Sequence, residues 1–354
     1  MKVGITYDLR TDYLLMGYGE EETAEFDKQD TIDAIEGALN HLGYETDRIG
    51  HIRALVKRLS EGDRWDMVFN IAEGLHGFGR EALVPSLLES YGIPCTFSDP
   101  MVLSLTLHKA MTKRVVRDLG IATPDFWVVE KESDVRLIDP SFPLFAKPVA
   151  EGTGKGITAA SKIMNRNQLA EACCEMLAHY RQPVLVESFL PGREFTVGIL
   201  GTGDRATPIG VMEILLNDRA EPDVYSYTNK ENYENRVHYR LIRGHAAQKV
   251  SEVALKAYQG LGCRDAGRVD LRMDAHDRPN FIEINPLAGL NPTHSDLCII
   301  ARKAGMNFEK LVCGIMTSAV ERCTPTLKEE NTHENWYYFQ PTGRTWPKEL
   351  GSLG

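Results

Sequence analysis

Residues 265 to 297, DAGRVDLRMDAHDRPNFIEINPLAGLNPTHSDL, constrain the fold more than any other stretch. Two alternating runs, Gly267–Asp274 and Pro279–Asn285, flank a polar break at Ala275–Arg278, the pattern of a β-hairpin. Side chains alternate faces along a strand, so Arg268, Asp270 and Arg272 share one face and Val269, Leu271 and Met273 the other. On the return strand the same period groups Phe281, Glu283 and Asn285 against Ile282 and Ile284. Folding the hairpin about Asp277 sets Asp270 across from Glu283. Like charges directly opposite destabilise a strand pair, so the pairing calls for a cation. Two carboxylates and an amide carbonyl are hard oxygen ligands that suit Mg²⁺ sharing its shell with waters and phosphate oxygens. Asp270, Glu283 and Asn285 are the candidate ligands, and Arg268 beside them would meet phosphate or a developing oxyanion. A surface hairpin whose charges simply face water is the other reading of these residues.

The chain has 354 residues, enough for two or three domains with cores of their own. Its 43% hydrophobic and 25% charged residues are ordinary for a soluble globular protein. A formal net charge of −10 without a long Lys/Arg block argues against nucleic acid or an anionic membrane as partner. Apolar runs fall far short of the roughly 20 residues of a membrane span, and MKVGITYDLR enters a strand-like run directly, unlike a signal peptide. The seven cysteines are scattered and form no C-x-x-C, which favours reduced thiols in the cytoplasm over a disulfide framework or a structural zinc.

Lys2–Tyr7 reads as a buried strand and residues 8–30 as a long acidic loop. Ile32, Ile35, Ala38, Leu39 and Leu42 recur at helical spacing, and Gly43 ends that helix. A strand, a helix and a strand at Met67–Ile71 follow, and alternating strands and helices imply a parallel sheet. Ligands bind at the carboxyl ends of such strands, where Glu73–Glu81 brings three glycines together with the polar His76 and Glu81. A helix at 81–91 and a strand around Ile93–Phe97 close this unit. Residues 100–119 read as one helix with Lys109 near its middle, and on this evidence alone its lysines are solvated.

At Phe142–Ile157 an apolar strand ends in Lys147 and runs into a glycine-rich loop that carries Lys155. A cation followed by such a loop makes a phosphate clamp, with loop N–H groups cradling oxygens. It is not a Walker A motif, because no Ser or Thr follows Lys155. A flexible hairpin is the plainer alternative. A helix at Asn167–His179 faces inward through Leu169, Cys173, Met176 and Leu177; Val184–Ser188 is a strand, Pro191-Gly192 a turn, and a second strand starts at Glu194. Residues 217–243, polar and rich in tyrosine, read as a mobile loop over the site. Helices at 245–261 and 297–320 flank the hairpin. The tail, with Trp336, Tyr337 and Tyr338, reads as an extension packed on the surface or against another subunit.

Taken in order, His76…Glu81, Lys109, Lys147 with KPVAEGTGKGI, Glu187…Glu194, Arg268…Asp270…Glu283-x-Asn285 and Gly289 resemble the motifs of the ATP-grasp ligases, specifically the D-alanine–D-alanine ligase branch. The resemblance covers roughly residues 1–322. It implies an α/β protein of the ATP-grasp fold: an N-terminal Rossmann-like preATP-grasp domain at 1–105, a central α+β domain at 106–190 and a C-terminal α+β domain at 191–322. The extension at 323–354 lies outside it. It also implies ATP with two Mg²⁺ ions, for which Mn²⁺ would substitute, and a cytoplasmic homodimer. The implied activity is a carboxylate–amine ligase that works on small molecules, amino acids above all, through an acylphosphate. Carried over residue by residue, Arg268 and the Gly289 N–H stabilise the oxyanion, while His76 and Glu81 hold the first substrate and shape the site. Lys109, Lys147, Thr153, Gly154 and Lys230 face the phosphates. Glu187, Ser188, Phe189 and Leu190 match the adenine hinge, and Glu194 matches the ribose contact.

The departures from the family lie on the substrate side. The dipeptide ligases begin with a Gly-Gly-x-Ser-x-Glu-type segment whose Glu anchors the first ammonium; here Tyr7-Asp8-Leu9-Arg10 and an acidic loop stand in that place, with Glu25 or Asp27 as substitutes. Glu231 follows Lys230 where tyrosine is usual, and Pro286-Leu287-Ala288-Gly289 replaces Thr-x-Pro-Gly, which leaves His294 or Ser295 for the second substrate's carboxylate. The expectation is a ligase whose best reaction is not D-alanyl-D-alanine synthesis. An ordinary cell-wall ligase, a catalytically silent ATP-binding subunit and a non-peptide ATP-grasp enzyme are the alternatives.

Overall fold

Val3 and Ile5 are buried on β1 (Lys2–Thr6), which pairs in parallel with β2 (Glu45–Gly50) on one side and β3 (Met67–Asn70) on the other. All four residues of β3 are buried, as expected of a strand in a sheet covered on both faces. The computed structural model describes residues 1–138, 141–220 and 233–323. Between β1 and β2 run α1 (Arg10–Leu15) and α2 (Gln29–His41), and α2 buries Ile32, Ile35 and Leu39 along one face. The segment at 8–30, expected to be loop throughout, thus contains a short helix, but α1 buries none of its residues. The opposite face of the sheet packs on α3 (Ile52–Ser60) and α4 (Leu83–Ser90) through Leu55, Leu59 and Leu88. Ile93–Phe97 forms only a parallel bridge, Cys95 to Val68, instead of a strand. Phe97 has φ +68 and gives its N–H to Asp265 Oδ2 at 2.8 Å, so the ladder stops there.

Two helices follow where the sequence pattern suggested one: α5 (Pro100–Leu107) and α6 (Lys109–Asp118). The chain breaks at His108, whose ψ of 88° is not helical and whose ring Nδ1 accepts the Met111 N–H to cap α6. Strands β4 (Phe126–Val129), β5 (Leu144–Pro148) and β6 (Lys162–Ile163), with β7 (Val184–Ser188), make an antiparallel sheet of order β4-β7-β5-β6. It is covered by α7 (Arg166–Tyr180) through Leu169, Cys173 and Met176.

The third sheet has the order β10-β9-β8-β11-β12, built from β8 (Glu194–Leu200), β9 (Thr207–Leu216), β10 (Val237–Ile242), β11 (Ala266–Met273) and β12 (Pro279–Asn285). The turn into β8 needs a glycine: Gly192 donates to Met273 O at 3.0 Å, and a Cβ there would lie 2.6 Å from that same oxygen. β10 corrects the reading of 217–243 as loop, since Val237 and Tyr239 alternate inward between exposed His238 and Arg240. Residues 221–232, with Lys230 and Glu231, lie outside the described residues, as do 324–354. The helix expected at 297–320 is also two, Asp296–Lys303 and Phe308–Cys323, parted at Gly305 with φ +90 and restarted by Asn307, whose Oδ1 accepts the Lys310 N–H. Leu311 and Ile315 of the last helix share one core with Ile35 and Leu39 of α2, which joins the first sheet to the third. All seven cysteines are free thiols, and among the described residues no helix is long and apolar enough to cross a membrane.

Candidate active site

The hairpin register places Asp270 directly opposite Glu283 and Arg268 opposite Asn285. A bulge follows, because Leu271 pairs with Phe281 and leaves Ile282 as the extra residue. This corrects the simple alternation: Phe281 turns into the core with Val269, Leu271 and Ile284, while Ile282 joins Glu283 on the site face. The bulge is pinned from outside, since Phe281 N–H donates to Ala122 O at 2.8 Å and Phe281 O accepts from Thr123 Oγ1 at 2.8 Å.

The cation that the carboxylate pair calls for is partly supplied by the chain itself. Arg268 Nη1 donates to Asp270 Oδ2 at 2.8 Å and to Asp296 Oδ2 at 3.2 Å. Lys109 Nζ lies 3.6 Å from Glu283 Oε2 and donates to Glu151 O at 2.6 Å. Lys109 is not solvated mid-helix but is the first residue of α6, 8% exposed, with its N–H on Val149 O at 3.0 Å. The break at His108 is what aims it at the site. Among the described residues no three His, Cys, Asp or Glu side chains gather into a metal cage. The donor set is two carboxylates and the Asn285 amide, whose buried Nδ2 has no hydrogen-bond partner. An amide turned over presents its oxygen there, so these residues fit a hard cation that completes its shell from outside the protein.

Behind the hairpin lies a second charged group. Glu187 on β7 bridges Lys147 on β5, 3.1 Å from Oε1, and Lys113 on α6, 3.0 Å from Oε2. Lys113 is fully buried and Lys147 is 3% exposed. Burial disfavours the charge on Lys147, but the carboxylates of Glu187 and Glu283 outweigh it and raise its pKa. For Lys113 burial wins over Glu187 and brings it down to about 8. A small cavity here is lined by Lys147, Glu187–Leu190, Glu194, Asp270 and Glu283. Ser188 N–H and Phe189 N–H already donate to Asp125 O and Pro143 O, at 2.8 and 3.1 Å. Glu194 Oε2 accepts from Arg272 Nη1 at 3.3 Å.

A larger cavity of about 620 Å³ opens on the other side of Glu283 and takes in Lys109, Arg268, Gly289, His294 and Ser295. Its far wall is acidic, with Glu25, Asp27, Glu73 and Glu81. Glu25 Oε1 accepts the Gly152 N–H at 2.8 Å and lies 2.9 Å from Lys155 Nζ, while Oε2 meets Arg80 Nη2 at 3.1 Å. Burial works against the charge on Glu25, yet Arg80 and Lys155 overcome it and hold the carboxyl at about 2. Burial moves its neighbours the other way. Glu81 rises to about 7, Asp27 to about 7 and Glu73 well above the usual range, each helped by the carboxylates around it.

Among the described residues, the sequence-derived candidates other than His76 and Gly154 line one of two cavities that share Glu283. Thr153 lines the larger cavity and has φ +52, and Gly154 beside it has φ +76. His76 is not brought in: it is exposed, its ring 6.3 Å from that of Tyr18. Sequence reasoning left out Lys113, Arg80, Glu73 and Asp296. Signals were available for Lys113, four residues after Lys109 and hence on the same helix face, and for Glu73 and Arg80, which lie in the loop placed at the ligand end of the first sheet.

A family model described as D-ala D-ala ligase C-terminus matches residues 115–317. A D-alanine–D-alanine ligase of Bordetella petrii is 34% identical over 251 residues, covering 69% of this chain and 74% of its own. One of Aquifex aeolicus is 33% identical over 287 residues, covering 80% and 92%. The crystal structure of the D-alanine–D-alanine ligase of Bacillus anthracis complexed with ATP superposes with a TM-score of 0.68 at 21% identity, covering 91% of this chain and 98% of that one.

Proposed function

The chain belongs to the D-alanine–D-alanine ligase family, with the ATP-grasp fold and an ATP-dependent, ADP-forming carbon–nitrogen ligase activity, and we propose that it joins two small amino-acid substrates. The observation that carries this reading is Glu283, which lines both cavities. Nucleotide in the smaller cavity would point its phosphates at Lys147 and Glu283, and the substrates would lie beyond, against Lys109 and Arg268. A carboxylate oxygen of the first substrate attacks the γ-phosphorus, the bond to the β-phosphate oxygen breaks, and ADP leaves behind an acylphosphate. Lys109 and Lys147 spread the charge of that step from opposite sides. The amine of the second substrate then attacks the acyl carbon and gives up a proton as the bond to phosphate breaks. Arg268 and the Gly289 N–H donate to the oxyanion that forms in between. Mg²⁺, or Mn²⁺ in its place, would polarise the phosphoryl oxygens when held by Asp270, Glu283 and Asn285, with a second ion on the same carboxylates. Adenine would rest on the Glu187–Leu190 hinge, where the Ser188 and Phe189 N–H groups are taken and Leu190 N–H is the donor left for it.

The same proposal includes a changed substrate preference. Both oxygens of Glu25 are engaged by Arg80, Lys155 and Gly152, so an ammonium at that carboxylate competes with two cations already in place. Asp27 is then the anchor of choice. Lost contacts of this kind cost on the order of 1–3 kcal/mol each, so D-alanine as sole amino acid should react at least about a hundredfold below the best pair in kcat/KM. The test is ADP release across a matrix of D- and L-amino acids and other carboxylates, with mass spectrometry of the product. D-alanine alone proving the best substrate defeats the changed preference and leaves the ligase. ADP release that ignores the amine defeats the ligase reading itself. A cytoplasmic homodimer and unit boundaries near 105, 190 and 322 complete the proposal, and fractionation, light scattering and limited proteolysis test them.

A further inference from the structure

Lys113 lies outside both cavities, yet its buried ammonium is held by polar partners. Its Nζ ion-pairs with Glu187 Oε2 at 3.0 Å and donates to Thr123 Oγ1 at 2.9 Å and Phe281 O at 3.3 Å. The Phe281 ring lies 5.9 Å away, and no part of the side chain reaches solvent. Charge explains why a buried lysine belongs here. Glu187 faces the small cavity beside Lys147, where the nucleotide's phosphates are proposed to arrive. A carboxylate in an anion site is a liability: paired with Lys147 alone, it would cancel the charge meant for phosphate. With Lys113 on its second oxygen Glu187 is shared between two cations, and Lys147 keeps more of its attraction for phosphate.

We propose that Lys113 is a positioning residue that balances Glu187 from behind, so that Glu187 orients Lys147 without neutralising it toward the nucleotide. Lys113 touches no reacting atom and acts through Glu187. It has a structural task as well, since its bond to Phe281 O helps to cap the carbonyl at the bulge before Glu283. The experiment must separate the two.

The inference rests on the nucleotide lying in the small cavity, and Lys147→Ala checks that premise first. If Lys147→Ala leaves ATP-analogue binding unchanged, the placement of the nucleotide is wrong. If it weakens binding and Lys113→Met does not, only the role of Lys113 fails. Affinities for a non-hydrolysable ATP analogue and for adenosine are measured by calorimetry on the full-length protein. Lys113→Met should weaken the ATP analogue about tenfold while adenosine, which has no phosphate, shifts less than about threefold. Adding Glu187→Gln should then recover most of the loss, because the anion that captures Lys147 is gone. A purely structural Lys113 predicts the reverse on both counts: adenosine weakened with the ATP analogue, and a double variant as poor as the single. Either result overturns the proposal. Should Lys113→Met alone fail to fold, the double variant still decides, since it must bind the ATP analogue within about threefold of Glu187→Gln alone, whereas a structural Lys113 makes it about tenfold worse.

Discussion

The two cavities that meet at Glu283 are built on opposite principles. The smaller is walled by strands, and Lys147 in it shares Glu187 with Lys113 from behind, so its ammonium keeps an attraction for an anion. The larger is walled on its far side by the loops after β1 and β3, and there carboxylates are crowded enough that burial and mutual repulsion raise Glu73, Glu81 and Asp27. One end is a rigid anion site and the other a soft acidic basin. Strand-borne charges are fixed to within a pleat, which suits a step in which phosphorus, metal and carboxylate must align. Loop-borne charges can be exchanged without disturbing the sheet, which is where a family changes substrates.

The largest effect should come from the junction. Asp270→Asn and Glu283→Gln are each expected to lower turnover roughly 10²–10³-fold, the scale of losing one preorganised charge at a reacting centre. The free protein should hardly notice. Removing one of two facing carboxylates would relieve about 0.2–1 kcal/mol of repulsion. Arg268 at 2.8 Å from Asp270 and Lys109 at 3.6 Å from Glu283 already offset that repulsion, so the melting temperature should move by a degree or two at most. Wild-type turnover by either variant at ordinary Mg²⁺ would break the assignment of this junction.

Next come the two cations on either side of it. Arg268→Ala should act on kcat, by roughly 10²-fold, because the oxyanion exists only in the transition state. Lys147→Ala should act on KM for ATP, by about tenfold, because phosphate is met in the ground state as well. Steady-state kinetics that show both variants changing only KM would erase the distinction between the cavities and make Arg268 a second phosphate clamp.

The legibility of the sequence follows the same divide. Period-2 alternation and one polar break were enough to set Asp270 opposite Glu283, because register in a hairpin is arithmetic. The bulge at Ile282 was invisible to that arithmetic, since no glycine or proline marks it and it is fixed by Ala122, Thr123 and Lys113 from elsewhere in the chain. The break at His108 was hidden for a similar reason: residues 101–119 contain neither Gly nor Pro, and the interruption is held by a contact of Lys109 with Val149. Roles for Glu187 and Glu194 came from family resemblance alone. Nothing local joins Glu25 to Gly152 and Lys155, which meet only when the N-terminal loop folds over the glycine-rich loop.

That loop contact gives the third test. Glu25→Gln removes the charge that Arg80 and Lys155 share, and breaking a buried pair from one side costs about 3 kcal/mol. Glu25 is held at about 2, below its unfolded value, so its contribution is present above pH 4.5 and lost as pH falls through 2. The stability gap between wild type and Glu25→Gln in urea unfolding should therefore be full at pH 7 and shrink steadily below pH 4.5. A gap independent of pH would mean that the carboxylate's charge plays no part in holding the loops together.

The smallest effect is the most diagnostic of the acidic basin, and its sign is opposite. Glu81 has its folded pKa raised from 4.5 to about 7, first by burial and then by Glu25, against the pull of Arg80 and Lys109. The folded state thus binds a proton that the unfolded state releases between those two values, so stability from this group is complete below pH 4.5 and is lost as pH rises through 7. Glu81→Gln keeps the shape and removes the titration. At pH 4 the variant should melt with the wild type; at pH 8 it should melt higher, by a few degrees, with the gap opening between the two pKa values. Adding the cationic amine of a good substrate at pH 8 should close the gap from the wild-type side, since only an ionised Glu81 gains from it. Melting curves that stay parallel from pH 4 to 8 would show that Glu81 is ionised in the empty protein, and the larger cavity would then be a second charged cleft like the first.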